Sequence, residues 1–183
     1  MVSRARRGAA GPQPGERDHR EVCPFPTQLE LAPIAIVRSP YQERHGTPRQ
    51  PSFGEAHRAE IELLPHLSPE LLKDLESFSH IWVISWMHLN GPRLNPLVRP
   101  PRGGPKRGAL ATRAPHRPNP IALSCVPLLG VSGRSAEVQG LDLISGTPVL
   151  DLKPYIPDFD SQPGASRGWL EAPSPVACRR APR

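Results

Sequence analysis

The sequence is poor in aromatic residues (5%), holds only 3 cysteines, and has no Asp or Glu between Glu76 and Glu137. So few aromatics, beside 26 prolines and 15 glycines, speak against a helical bundle and for unstructured ends. Cys23, Cys125 and Cys178 form neither a C-x-x-C pair nor a Cys/His cluster at zinc spacing, so no metal is expected. Cys125 lies in an apolar run and reads as a small buried residue. So scattered a set suits a reducing compartment, which predicts a cytoplasmic protein. No apolar run approaches the ~20 residues that span a bilayer, and no membrane partner is expected. The first residues carry arginines without the apolar core of a secretory signal. Glu16, Asp18 and Glu21, among Pro and Gly, also oppose an amphipathic transit helix. Neither G-x-G-x-x-G, G-x-x-x-x-G-K-[ST] nor G-x-S-x-G occurs, which leaves Rossmann, P-loop and α/β-hydrolase chemistry without support.

What is present is cationic. The 183 residues carry a net charge of +6. Arg93, Arg99, Arg102, Lys106, Arg107, Arg113, Arg117 and Arg134 all fall inside the acid-free interval. If those loops converge they form a surface for phosphates; the alternative is a solvated Arg/Pro-rich stretch. The planar fork of arginine suits carboxylates and phosphates, and neighbouring prolines, as in "RPPR" and "HRPNP", reduce the entropy lost when it is held.

The pattern of residues predicts many short strands. Pro33 to Val37, "EAHRAEIELLP", "HIWVISWMHL", "GALAT", "IALSCVPLLGV", "AEVQGLDLI" and "VLDLKPYI" each read as one. The third is apolar nearly throughout, as for a strand buried on both sides. Unbroken, it would point His80 and His88 to one side, and His88, at its end, is the better functional candidate. "LSPELLKDLESF" predicts one helix, with Ser68 as N-cap and Pro69 at its first position. The expectation is a mainly β fold: a small β-barrel with one short helix and long Pro/Gly-rich loops. The domain is placed at residues 30–160, between disordered tails over 1–29 and 161–183. The long loops are where function is sought.

Four stretches in this order, "GTPRQ", "FSHIWV", "ATRAPHRPNPI" and "DLISGTPVLDLKPYIP", resemble the TsaA-like family of tRNA methyltransferases, and "RPPR" adds a shorter match. The resemblance covers about residues 31–160. It implies a small β-barrel, S-adenosylmethionine as methyl donor with no metal, and a homodimer with active sites near the subunit interface. It further implies tRNA as partner, with N6 of threonylcarbamoyladenosine at position 37 as methyl acceptor. By the match, the donor site draws on Pro48, Arg49, Gln50, His88, Leu89, Arg113, Leu123 and the turn Asp142 to Thr147, with Ser145 and Gly146 in it. Arg49 or Arg113 would pair with the donor's carboxylate, and Leu123 would pack on its adenine or ribose. Asp142 would bond the ribose hydroxyls or stabilise the donor's positive charge. Asp142, Asp151 and Tyr155 are the candidate catalytic residues, although Asp151 equally reads as a strand pin. Arg99, Arg102, Lys106, Arg107, Arg117 and Lys153 are the candidates for RNA contact.

The chain departs from the family pattern at Ala122, where glycine is common, and at Ser145, where an acid is common. A catalytic carboxylate at that second position therefore does not transfer. Two other functions stay open on sequence: a TsaA-like methyltransferase with a different acceptor, and a noncatalytic RNA-binding β-barrel module.

Overall fold

The computed structural model describes residues 29–51, 57–91, 95–101 and 103–171. Cys23, Cys178 and Arg102 lie outside them, as does most of the first of two compact units, Met1–Leu31. The second unit, from Ala32 onward, is built on a closed barrel.

Its strands are β1 (Ala35–Arg38), β2 (Arg58–Leu63), β3 (His80–Trp86), β6 (Ile121–Ser132), β7 (Ser135–Gln139) and β8 (Pro148–Pro154). Around the barrel they run β1-β2-β7-β6-β3-β8, and β8 closes onto β1 through the antiparallel pairs Ala35↔Val149 and Ile36↔Pro148. Alternation in the sequence builds this wall: in β2, Ala59, Ile61 and Leu63 are buried while Arg58 and Glu60 face solvent. The inward side chains, among them Val37, Ile61, Ile81, Val83, Val126, Val138 and Val149, form one core with 0% exposure. Each is worth about 1.5–3 kcal/mol of apolar burial. A two-stranded ribbon of β4 (Leu97–Val98) and β5 (Arg107–Gly108) stands apart from the barrel.

Several local expectations are corrected. β3 is not buried on both sides: Ile81, Val83 and Ser85 point into the core, whereas His80, Trp82 and Ile84 are half-buried on the outer wall and Trp86 is exposed. Cys125, paired with Trp82, shares that outer wall and is half-buried rather than core. The strand stops at Trp86, so His88 sits in the following turn and shares no strand face with His80. The helix expected at residues 68–79 is two 3₁₀ turns, Pro69–Leu72 and Leu75–Ser77. Ser68 does cap the first, accepting from the Glu70 N–H, but Lys73 is extended and Asp74 takes φ 65°, which breaks the run between them. The "GALAT" strand shrinks to the two residues of β5, followed by a 3₁₀ turn, Ala109–Ala111, whose first N–H bonds the Pro96 carbonyl.

The chain continues past β8 into a single α-helical turn, α1 (Pro157–Asp160), and then folds back. Trp169 donates its indole N–H to the Ala111 carbonyl at 2.8 Å, and the Arg107 guanidinium lies 5.5 Å from its ring centroid. Among the described residues no helix is long and apolar enough to cross a membrane.

Candidate active site

Strand direction sorts the candidate residues between the two barrel ends. One end gathers the last residues of β1, β3 and β7 and the first of β2, β6 and β8. Here the turn at residues 144–147 is locked to β1 by Gly146 N–H to Val37 C=O (2.8 Å) and Val37 N–H to Thr147 C=O (3.0 Å). Gly146 has φ +86°, the left-handed conformation that lets this turn close with its backbone bare. Thr147 is buried and closes the same turn by donating its hydroxyl to the Ile144 carbonyl (2.6 Å).

The loop after β1 is tied to this turn. Ser145 N–H donates to the Tyr41 carbonyl (2.7 Å), and the Ser39 hydroxyl donates to the Leu143 carbonyl (2.7 Å). That loop goes on to Pro48, Arg49 and Gln50. Arg113 Nη1 lies 3.4 Å from Gln50 Oε1, which joins it to the loop at residues 109–117. On the other side of the end, Met87 N–H bonds the Pro120 carbonyl (2.8 Å), setting the turn with His88 and Leu89 beside the start of β6. Leu89 and Leu123 are 68% and 54% exposed, so both offer free apolar surface there.

Asp142 is the buried charge of the site. Ser124, pointing inward from β6, donates to its Oδ1 at 2.8 Å. Burial pushes the Asp142 carboxyl above its ordinary pKa; the Ser124 hydroxyl, its own backbone N–H and the Arg113 charge only partly offset that. Tyr41 faces the same carboxylate, and its hydroxyl pKa is raised by burial first and by Asp142 second. Its ring meets His57 edge-on at 5.5 Å, while its hydroxyl is sealed from solvent without a hydrogen-bond partner. Sequence reading missed Tyr41, a lone aromatic in a loop; its one signal was the neighbouring Ser39-Pro40 turn.

This end therefore brings together Pro48 to Gln50, His88, Leu89, Arg113, Leu123, Asp142 and Ser145 to Thr147. Asp151 and Tyr155 lie elsewhere. Asp151 pairs with Lys153 at 2.9 Å on the outer wall, opposite Ile84 in the register. Tyr155 is at the far end, tilted against Trp82 at 5.7 Å. Of the RNA candidates, Arg99 and Lys106 are exposed. Arg107 is partly withdrawn beneath Trp169, and Arg117 is turned into its own loop, where Nη1 donates to the carbonyls of Ala109 (3.3 Å) and Thr112 (2.6 Å).

The arrangement has known counterparts. The Escherichia coli protein named tRNA (adenine(37)-N6)-methyltransferase is 37% identical over 155 residues, which cover 80% of this chain and 66% of that one. An Archaeoglobus fulgidus protein, "Probable S-adenosyl-L-methionine-binding protein", is 40% identical over 148 residues, covering 80% of this chain and 39% of its own. The crystal structure of TrmO from Pseudomonas aeruginosa superposes with a TM-score of 0.65 at 37% identity, over 78% of this chain and 62% of that one. The chain thus spans less than two thirds of each. Residues 36–161, from β1 through α1, match the family described as the tRNA-methyltransferase O N-terminal domain, and the chain belongs to that family.

Proposed function

We propose that this protein is an S-adenosylmethionine-dependent tRNA methyltransferase that methylates N6 of threonylcarbamoyladenosine at position 37. The observation that carries the reading is the convergence, at one barrel end, of the Gln50 loop, Arg113, Asp142 and the turn at residues 144–147. The names of the relatives supply the reaction class. The functional unit is a domain of about residues 30–160, and with tRNA as substrate its place is the cytoplasm.

The residues at this end fit the donor. Arg113 and Asp142 carry opposite charges that influence each other yet form no ion pair among the described residues, and the Tyr41 hydroxyl is sealed and unpartnered. Such a gap suits a polar ligand that brings its own charges. When bound, S-adenosylmethionine supplies an electrophilic methyl group. Arg113 would fix its carboxylate with a two-pronged contact, and the backbone of the turn at residues 145–147 would approach it closely. Leu123 and Leu89 would cover its apolar part, with Arg49, Pro48 and His88 closing the rim. In-line transfer to N6 needs one proton removed from the acceptor, so positioning supplies most of the rate. Of the candidate catalytic residues only Asp142 stands here. Arg99 and Lys106, with Arg102 outside the described residues, are the proposed phosphate contacts.

A homodimer accompanies this reading. Trp86, Ile121 and Leu123 are 45%, 40% and 54% exposed on the outer wall beside the site, where a second copy would cover them. The test of function is mass spectrometry of nucleosides from tRNA bearing the threonylcarbamoyl group, incubated with the protein and the donor. A gain of one methyl on that nucleoside is expected. Donor binding without that gain would instead assign a different acceptor, and absence of donor binding would leave a noncatalytic RNA-binding barrel.

A further inference from the structure

Tyr41 is held by everything except its hydroxyl. Its backbone N–H donates to Ser39 Oγ (3.3 Å), its carbonyl accepts from Ser145 N–H (2.7 Å), and its ring packs on His57. A phenol sealed from solvent without a partner normally costs stability, and such a group calls for an explanation. Across from it stands Asp142, with Oδ1 taken by Ser124 and no ion pair to Arg113 among the described residues. Two acceptors therefore face each other on one side of the gap, and a guanidinium lies on the other.

We propose that Tyr41 and Asp142 together bind the α-ammonium of the donor's amino-acid end, with Arg113 holding the carboxylate of that same end. The inference rests on the proposed donor reading and makes Tyr41 a donor-positioning residue. The ammonium donates to the Tyr41 oxygen and to the Asp142 carboxylate, and the phenol gains the partner it lacks. The inference also decides between two roles for Asp142, because a carboxylate serving the ribose would not involve the amino-acid end at all. Specificity follows: the site must distinguish ligands that carry the amino-acid arm from those that share only the adenosine and the sulfur.

The test is calorimetry with two probes, S-adenosylhomocysteine and 5′-methylthioadenosine, which differ by that arm. The intact protein should bind the first more tightly than the second by at least about tenfold. Tyr41→Phe should cut that preference about fivefold or more, and Asp142→Asn further, with affinity for methylthioadenosine unchanged in both. Because the hydroxyl has no partner in the fold, Tyr41→Phe should keep or raise the melting temperature. Equal weakening of both probes in Asp142→Asn would place Asp142 on the ribose and overturn the inference. An unchanged preference in Tyr41→Phe, or a lower melting temperature, would overturn it as well. If neither probe binds the intact protein, the donor reading itself falls, a pattern unlike any of these.

Discussion

Replacing Arg113 by alanine separates binding from folding at a single residue. The side chain is exposed, and its hydrogen bond to Gln50, at 3.4 Å, is at the limit of what counts as one. Its removal should therefore cost the fold no more than about 0.5 kcal/mol. Toward a carboxylate, the same guanidinium offers charge-assisted hydrogen bonds worth about 1.5–3 kcal/mol, or roughly 10- to 150-fold in Kd. Titration with S-adenosylhomocysteine should show a loss in that range, while the urea midpoint stays within error. Arg113→Lys keeps the charge but not the planar fork, so it should recover only part of the affinity. Full recovery by lysine would show that the fork is unused. An unchanged Kd for the alanine variant, or a large drop in its urea midpoint, would refute the assignment of Arg113 to the donor.

Three further outcomes follow from the same geometry. Arg117→Ala removes both bonds that close the loop at residues 109–117, so limited proteolysis should cut there several times faster; an unchanged cleavage pattern would show that the loop stands without them. Because burial raises the Asp142 pKa in the fold, the folded state holds that proton more tightly than the unfolded chain, and stability gains as pH falls through the folded value toward the ordinary 3.8. Asp142→Asn should thus be more stable than the parent in urea at pH 7, with the gap narrowing on acidification; a gap constant with pH would contradict the buried charge. Arg99→Ala should weaken tRNA binding and lower its salt dependence by about one phosphate contact, leaving S-adenosylhomocysteine affinity untouched, which filter binding at several salt concentrations checks.

Six barrel strands were legible because period-two alternation survives wherever one face meets the core, as in Arg58–Leu63. What was misread had physical causes. Ser68-Pro69 marks where a helical turn starts, but nothing in "KDLES" announces that Asp74 will adopt a left-handed conformation and restart the chain. The uniform apolarity of "HIWVISW" imitates two-sided burial, although only Ile81, Val83 and Ser85 face inward. Its outward half is spare apolar surface, the kind a second chain would cover. The site was legible in its separate loops through the family resemblance. Tyr41 was not, because its meaning comes from Asp142, far along the chain, and from a hydroxyl that has no partner. The Pro-rich end from residue 161 gave no periodicity, and Trp169 was the one residue there able to anchor it.

The acid-free interval reads differently once its arginines are placed. With no carboxylate nearby in sequence, those serving the fold take backbone carbonyls: Arg117 those of Ala109 and Thr112, Arg134 those of Leu64 and Leu67. Arg107 lies against an indole ring. Bonds to carbonyls leave each guanidinium its full positive charge, so the absence of acids keeps the surface cationic even where arginine is structural. Distant charges of that kind steer a polyanion, but only side chains free to touch phosphate displace its counterions. Of the described cations in this interval, Arg99 and Lys106 are exposed, Arg113 is committed to the donor in the reading argued above, and Arg107, Arg117 and Arg134 are partly buried. The salt dependence of tRNA binding should accordingly be shallower than the charge of the interval suggests, while the association rate reflects nearly all of it.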